Sequence, residues 1–222
     1  MNEELIGPNL SFFDLSSRES LFFPEDALEG LLVSEKWISS SFFYDQNGSE
    51  LFQKITELPE YYLTKAEIEI LDDNLDEISE LVGEDSALIE FGNGPPLKSR
   101  MLLKAINPSI YMPLDISKSY LLETSKSLAS EFSSVEIKAI CVDYTRAFRF
   151  PFTLDKKRVG CFLGSSLGNF NKPNALDFLR QTKKQLGDGG ALLLGVDMKK
   201  SKKILDKAYN DSAGITARFN LN

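Results

Sequence analysis

Short apolar runs alternate with amphipathic segments along most of the chain, and this alternation predicts an α/β protein. The apolar runs are far too short to span a membrane, and most of them end next to glycine or an acidic residue. Because helical segments separate these runs, they are expected to form a parallel sheet with right-handed crossovers. The predicted strands are 87–91, 109–114, 135–142, 159–163 and 191–196.

The helical pattern is clearest after Thr64, where apolar residues recur at helical spacing and Glu67 completes a predicted capping box. Ser49 is predicted to cap an earlier helix. Residues 1–23 show no clean periodicity, and the aromatic stretch 37–49 is typical of a hairpin or loop. Further helices are predicted from Pro24 and over 117–130 and 173–186.

The strand at 87–91 runs into Gly92-Asn93-Gly94, which is typical of a nucleotide-binding turn. Glycines there let the backbone bend sharply and approach a ligand closely. The next strand ends at Asp115, 23 residues after the first of these glycines. A separation of about 20 residues places an acid at the ribose hydroxyls of a ligand lying across the strand ends. A third glycine is missing, which favours an adenosyl ligand without phosphates over a dinucleotide.

Two later strands also end in polar residues. Asp143-Tyr144 follows the third strand, where the acid could accept from an adenine amino group and the ring could stack beside it; a solvated loop acid is the alternative for Asp143 taken alone. The fourth strand leads into a loop of small residues that ends at Asn169, whose amide both donates and accepts. Because open α/β sheets bind ligands at the carboxyl edge, these groups are expected to face one site.

Composition narrows the function. The 222 residues are 42% hydrophobic and 26% charged, which is ordinary for one large or two small soluble domains. A net charge of −8 leaves no basic stripe for nucleic acid or an anionic membrane, so a small-molecule partner is favoured.

Cys141 and Cys161 lie in apolar runs and are expected to be buried thiols in a reducing compartment, and with no leader or spanning segment the protein is predicted to be cytoplasmic. Histidine is absent, which argues against the common zinc sites, and no metal is expected. Any general base would be a carboxylate, tyrosine or lysine.

Four ordered blocks of sequence resemble one family. They are Phe43-Tyr44-Asp45 with 48–52, then 55–62, 162–170 and 208–220. Together they resemble the histidine-specific, S-adenosylmethionine-dependent methyltransferases of ergothioneine biosynthesis. The resemblance implies a class I methyltransferase core, here 63–199, and a smaller substrate-binding domain built from 1–62 and resumed at 200–222. It also implies trimethylation of the α-amino nitrogen of L-histidine to give hercynine.

The resemblance further implies a set of site residues. Tyr61 and Tyr209 are expected near the carboxylate of the amino acid and Asn169 near its amino group, with Tyr44 lining the pocket. Tyr61 and Asn169 are therefore the candidate catalytic positions. The implied contacts to S-adenosylmethionine come from Gly92, Asn93, Gly94, Lys98, Asp115, Asp143 and Tyr144.

The chain departs from the family in two places. Pro95-Pro96 stands where the family usually has a hydroxyl residue and a glutamate, which removes donors and stiffens the loop. The chain ends at Asn222, whereas the family continues for roughly a hundred residues, about the size of a small domain. An exposed apolar face is therefore expected where further strands would pack. These departures leave a second interpretation, a non-catalytic relative that binds a metabolite or partner.

Overall fold

The computed structural model of the protein describes residues 3–16 and 24–222. Its strands are β1 (Glu3–Gly7), β2 (Leu10–Asp14), β3 (Ser86–Phe91), β4 (Ile110–Asp115), β5 (Glu136–Cys141), β6 (Lys157–Phe162) and β7 (Ala191–Leu194). Its α-helices are α1 (Pro24–Leu32), α2 (Gln46–Thr56), α3 (Tyr62–Val82), α4 (Leu97–Ile106), α5 (Lys118–Glu131), α6 (Lys172–Leu186), α7 (Lys202–Ala208) and α8 (Ile215–Asn220), with 3₁₀ turns at Ser40–Phe43 and Ser166–Asn169. Among the described helices, none is both long and apolar enough to cross a bilayer.

The seven strands form one sheet in the order β1-β2-β5-β4-β3-β6-β7. Neighbours from β2 to β7 are all parallel, and only β1 and β2 pair in the antiparallel sense. The five predicted strands thus lie in a doubly wound arrangement whose winding reverses between β3 and β6. The α/β prediction is confirmed, and ligands of such sheets bind at the carboxyl edge near this reversal.

Strand β3 lies between β4 and β6 at the centre of the core, and every one of its residues is buried. Ala87, Ile89 and Phe91 pack into the apolar cluster on one face of the sheet, and Leu88 packs into the cluster on the other. The buried Glu90 accepts hydrogen bonds from Ser99 Oγ at 2.8 Å and from the Tyr111 hydroxyl. These donors satisfy a carboxyl group whose pKa burial raises. Cys141 and Cys161 are free and buried, as expected.

The amino-terminal stretch contains a hairpin that the sequence pattern does not reveal. Strand β2 pairs with β5, with Leu10 opposite Ile137, and β1 covers the outer edge of β2. Phe12 and Phe13 point to opposite faces of the sheet and are both buried, so the run lacks the alternation that marks a half-exposed strand. Residues 1–2 and 17–23 of the stretch without periodicity lie outside the described residues.

Two predicted helix caps are wrong. Asp45 caps α2 by accepting from the Gly48 N–H at 2.7 Å, and Ser49 is buried inside the helix. Thr64 also lies within a helix, because α3 begins at Tyr62 without a side-chain cap. Glu67, the expected partner in the capping box, instead contacts distant parts of the chain. In the first case Asp45 occupies the capping position, and in the second the tertiary contacts of Glu67 replace the capping box.

One connection differs from expectation. The crossover from β5 to β6 has no helix in the described chain; its aromatic residues pack under the sheet instead, with Phe152 and Phe13 ring centroids 5.0 Å apart. The aromatic stretch 37–49 matches the loop alternative rather than the hairpin, with a 3₁₀ turn at Ser40–Phe43 before α2 begins at Gln46.

A third, smaller apolar cluster joins the early and late parts of the chain. Helix α2 packs against α8, and the Phe219 ring lies between Phe52 and Tyr44, at centroid distances of 6.0 and 5.3 Å. Leu51, Ile55 and the other cluster members therefore bring 43–63 and 208–219 together beside the sheet. The division into a core domain and a substrate-binding domain stays a prediction.

Candidate functional site

The glycine turn after β3 is bonded directly to the end of β4. Gly92 has a φ of +86°, a conformation that favours glycine, and its N–H donates to the Leu114 carbonyl at 2.9 Å. The Asn93 N–H donates to Asp115 Oδ2 at 2.8 Å, and the Ser117 N–H donates to Oδ1 at the same distance. The structure therefore places the turn and the predicted ribose acid at one edge of the sheet.

The Asp115 carboxyl group is partly buried, and its surroundings shift its pKa. Burial raises its pKa to about 6, although the N–H groups of Ser117 and Asn93 act in the opposite direction. Each oxygen accepts one main-chain hydrogen bond, which leaves acceptor capacity on both. Such a carboxylate can accept from two neighbouring hydroxyls, the arrangement that a ribose presents.

The two sides of the turn differ in accessibility. A Cβ built on Gly94 would meet no atom within 4 Å, whereas one on Gly92 would lie 2.9 Å from the Tyr144 hydroxyl. The buried Asn93 side chain donates to Thr124 Oγ1 and so fixes the turn to α5. The side over Gly94 is therefore the side that a ligand can approach.

The residues after β5 make mainly local contacts. Tyr144 packs edge-on against Phe91 and Phe162, with centroids 6.1 Å away in each case. Asp143 accepts from the Thr145 N–H at 3.0 Å and pairs with Arg146 at 3.2 Å. Both lie at the expected edge of the sheet, and their contacts with an adenine stay predictions.

Lys98, in the first turn of α4, has a partner that the sequence did not indicate. Its Nζ lies 2.5 Å from Glu67 Oε2, and the Gly164 N–H donates to Oε1 and Oε2 of the same carboxylate at 2.7 and 3.0 Å. Both charged side chains are about 15% exposed, at 16% for the lysine and 15% for the glutamate. This cluster lies where the sheet reverses its winding, between the ends of β3 and β6.

Three of the predicted substrate residues, Tyr44, Tyr61 and Tyr209, lie together, and Tyr44 is within electrostatic reach of Asp115. The Tyr61 and Tyr209 rings meet edge-on with centroids 5.9 Å apart. Burial, with the charge of Asp115 and the neighbouring Tyr209, raises the pKa of Tyr44 to about 12. Burial also raises the pKa of Tyr61. These hydroxyls therefore stay protonated at neutral pH and can donate. Asn169 is exposed at the end of the turn that follows β6.

Asp197, another acid at the carboxyl edge, links Tyr62 to the sheet. Asp197, which follows β7, accepts from the Tyr62 hydroxyl and pairs with Lys200 at 2.7 Å. Its own N–H donates to Ser165 Oγ at 2.9 Å, and Ser165 has a φ of +59°, which is uncommon for a residue other than glycine. Sequence reasoning did not single out Asp197; its position directly after the fifth predicted strand, 191–196, was the available signal.

A doubly wound sheet in which β3 ends in an open glycine turn, held against an acid at the end of β4, has the architecture of nucleoside-binding α/β proteins. Within that class, the chain belongs to the histidine-specific, S-adenosylmethionine-dependent methyltransferase family. A family model described as "Histidine-specific methyltransferase, SAM-dependent" matches residues 23–222. The resemblance drawn from the sequence blocks is thereby confirmed.

This chain is similar to several proteins of known name over most of its length. It is 38% identical over 201 residues to histidine N-alpha-methyltransferase from Mycobacterium tuberculosis (strain CDC 1551 / Oshkosh), covering 89% of this chain and 62% of that protein. It is 32% identical over 210 residues to ergothioneine biosynthesis protein 1 from Neurospora crassa, covering 91% and 23% respectively. It is 27% identical over 225 residues to 4-dimethylallyltryptophan N-methyltransferase from Claviceps purpurea, covering 94% and 65%. The chain thus spans about three fifths of the length of the mycobacterial relative.

Proposed function

We propose that this protein is an S-adenosylmethionine-dependent N-methyltransferase that acts on the α-amino group of an amino acid, with L-histidine as substrate and hercynine as product. Family membership and the names of the relatives support this activity. The observation that carries it is the position of Asp115, bonded to the glycine turn and within electrostatic reach of Tyr44. The two candidate binding sites thus adjoin, as transfer between a cofactor and a substrate requires.

The residues at the carboxyl edge fit an adenosyl ligand. Both Asp115 oxygens retain acceptor capacity for ribose hydroxyls, and the surface over Gly94 is open. Pro96 precedes α4 without capping it through a side chain, so the first N–H groups of this helix stay available at the turn. When bound, S-adenosylmethionine would supply an electrophilic methyl group on a sulfonium.

The tyrosines suit the amino acid. Tyr61 and Tyr209 can donate to its carboxylate because their hydroxyls stay protonated, and Asn169 can accept from its amino group. Only a neutral amine has the lone pair needed for attack, so these contacts would contribute by holding the amine in line with the methyl group. Positioning of this kind supplies most of the acceleration, and a strong base is not needed.

Mass spectrometry of the reaction mixture tests this proposal. Histidine incubated with the protein and S-adenosylmethionine should gain mass in methyl steps, up to three. Tryptophan and 4-dimethylallyltryptophan in parallel reactions test whether the substrate is instead an indole amino acid, as the name of the Claviceps relative suggests. If calorimetry detects S-adenosylhomocysteine binding and none of the amino acids gains mass, the non-catalytic interpretation is favoured instead.

A further inference from the structure

We propose that Glu67 is a positioning residue of the cofactor site, which it serves by holding Lys98 and the loop after β6 in place. This inference rests on the proposed function and extends it to a residue outside the implied contact set. Glu67 projects from α3 and binds Lys98 and the Gly164 N–H, which follow two different strands. One carboxylate therefore ties together three elements around the crevice.

The position of Lys98 indicates which end of the cofactor it meets. A ligand with its adenine at Asp143 after β5 and its sugar on Asp115 at the end of β4 extends past the Gly94 turn towards β6, because the strands lie in the order β5-β4-β3-β6. Lys98 lies on that far side, since a Cβ built on Gly164 would be 3.8 Å from its Nζ. The group at the far end of S-adenosylmethionine is an amino acid with a carboxylate. An ammonium group there matches that carboxylate.

Glu67 provides the opposite charge that the largely buried Lys98 ammonium needs. A largely buried ammonium loses hydration and needs a partner to stay charged. Among the described residues, Glu67 is the hydrogen-bond partner of Lys98 Nζ, and this contact uses one of its three donors, so two are available for a ligand. If Glu67 moved away, the Gly164 N–H would also lose its acceptor, and removing one partner of a buried pair is strongly unfavourable. For these reasons the carboxylate is expected to remain in place when the cofactor binds.

The close packing around Glu67 also fixes its position. A Cβ built on Gly195 would lie 2.1 Å from Glu67 Oε1, so the main chain after β7 closely approaches the carboxylate. Gly164 itself has a φ of +77°, which directs its N–H into the crevice. The loop that begins there continues to Asn169. Glu67 therefore links the lysine to the loop that carries a candidate substrate residue.

Calorimetry with two ligands tests the inference. S-adenosylhomocysteine carries the amino-acid end, and 5′-methylthioadenosine lacks it. Glu67→Gln keeps an acceptor for Gly164 and removes the charge that orients Lys98, so it should weaken S-adenosylhomocysteine at least about tenfold, as expected for the loss of one charge-assisted hydrogen bond. Methylthioadenosine should change less than twofold. The matched control is Glu69→Gln on the same helix, whose side chain is 65% exposed, and it should bind both ligands like the wild type.

The Lys98→Gln variant completes the design. It should show the same selective loss, and adding Glu67→Gln to it should weaken S-adenosylhomocysteine little further, because the two residues act as one unit. An equal loss for both ligands in Glu67→Gln would mean a general structural defect and overturn the inference. Unchanged or tighter S-adenosylhomocysteine binding would also overturn it. Wild-type protein that binds neither ligand would instead refute the proposed function on which the inference rests.

Discussion

Replacing Asp115 with asparagine should separate ligand binding from stability. Burial raises the pKa of Asp115 from 3.8 to about 6, so its ionised form costs the folded protein about 3 kcal/mol at neutral pH. Asp115→Asn removes that cost but leaves one of the two N–H groups of Asn93 and Ser117 without an acceptor, which costs about 1–3 kcal/mol. The two effects oppose each other. The net change is about 0–2 kcal/mol, so at roughly 2–4 °C per kcal/mol for a chain of this size the melting temperature should rise by about 8 °C or less.

Unlike the melting temperature, the affinity for S-adenosylhomocysteine should change strongly in Asp115→Asn. The amide keeps one acceptor and loses the charge, so S-adenosylhomocysteine should bind about a hundredfold more weakly at pH 7.5. In the wild type, Asp115 becomes protonated below about pH 6, so affinity should fall with each further decrease in pH. The variant should lose this pH dependence. The stability contribution of Asp115 has the opposite sign: because its pKa is raised, this group favours the folded state most below pH 3.8, and that contribution is lost as pH rises through 6.

Calorimetric titration between pH 5 and 8 is the assay, with Asp188→Asn as the control. Asp188 is an exposed carboxylate in the turn between α6 and β7, at the opposite edge of the sheet. It should leave affinity and its pH profile unchanged. A loss of less than threefold in Asp115→Asn, or a pH profile that the substitution does not alter, would refute the reasoning.

Two further substitutions probe the site and its support. Gly94→Ala adds a methyl group in open space on a backbone without a positive φ, so denaturation should show unchanged or slightly higher stability. Calorimetry should show that S-adenosylhomocysteine binds at least about tenfold more weakly. Unchanged affinity would contradict a ligand over this turn. Asp211 accepts from the N–H groups of Ile215 at 2.9 Å and Thr216 at 2.8 Å at the start of α8, and although burial alone would raise its pKa, these bonds lower it to about 2. Asp211→Ala should therefore lower the free energy of unfolding by about 1–2 kcal/mol in urea denaturation at pH 7. This contribution of Asp211 is complete above pH 3.8 and disappears as pH falls through 2. Equal stability of the two proteins at pH 7 would contradict this role.

Local signals predicted the central strands and the Gly92 turn because both depend on neighbouring residues. The acid Asp115 followed from its spacing, since strand and helix lengths fix how far apart consecutive strand ends lie. Longer-range contacts could not be derived in this way. Glu67 matched a capping pattern, yet its partner Gly164 lies 97 residues away, and no periodicity reports such a contact.

The amino-terminal hairpin escaped prediction for a related reason. Phe12 and Phe13 are both buried because β2 lies between β1 and β5 in a sheet covered on both faces. Burial on both faces removes the alternation that marks a strand in isolation. The roles of Tyr44, Tyr61 and Tyr209 were inferred from resemblance alone. The proximity of Tyr61 to Tyr209 depends on how two distant segments pack, which the sequence does not encode locally.

The central claim is that an adenosyl ligand lies along the carboxyl edge of the sheet with its sugar on Asp115. A crystal structure of the protein with S-adenosylhomocysteine tests this most directly. We expect both ribose hydroxyls within hydrogen-bonding distance of the Asp115 carboxylate, about 2.5–2.7 Å for a charge-assisted pair, and the amino-acid end beside Lys98. A ligand bound elsewhere, or one whose sugar does not contact Asp115, would contradict the account.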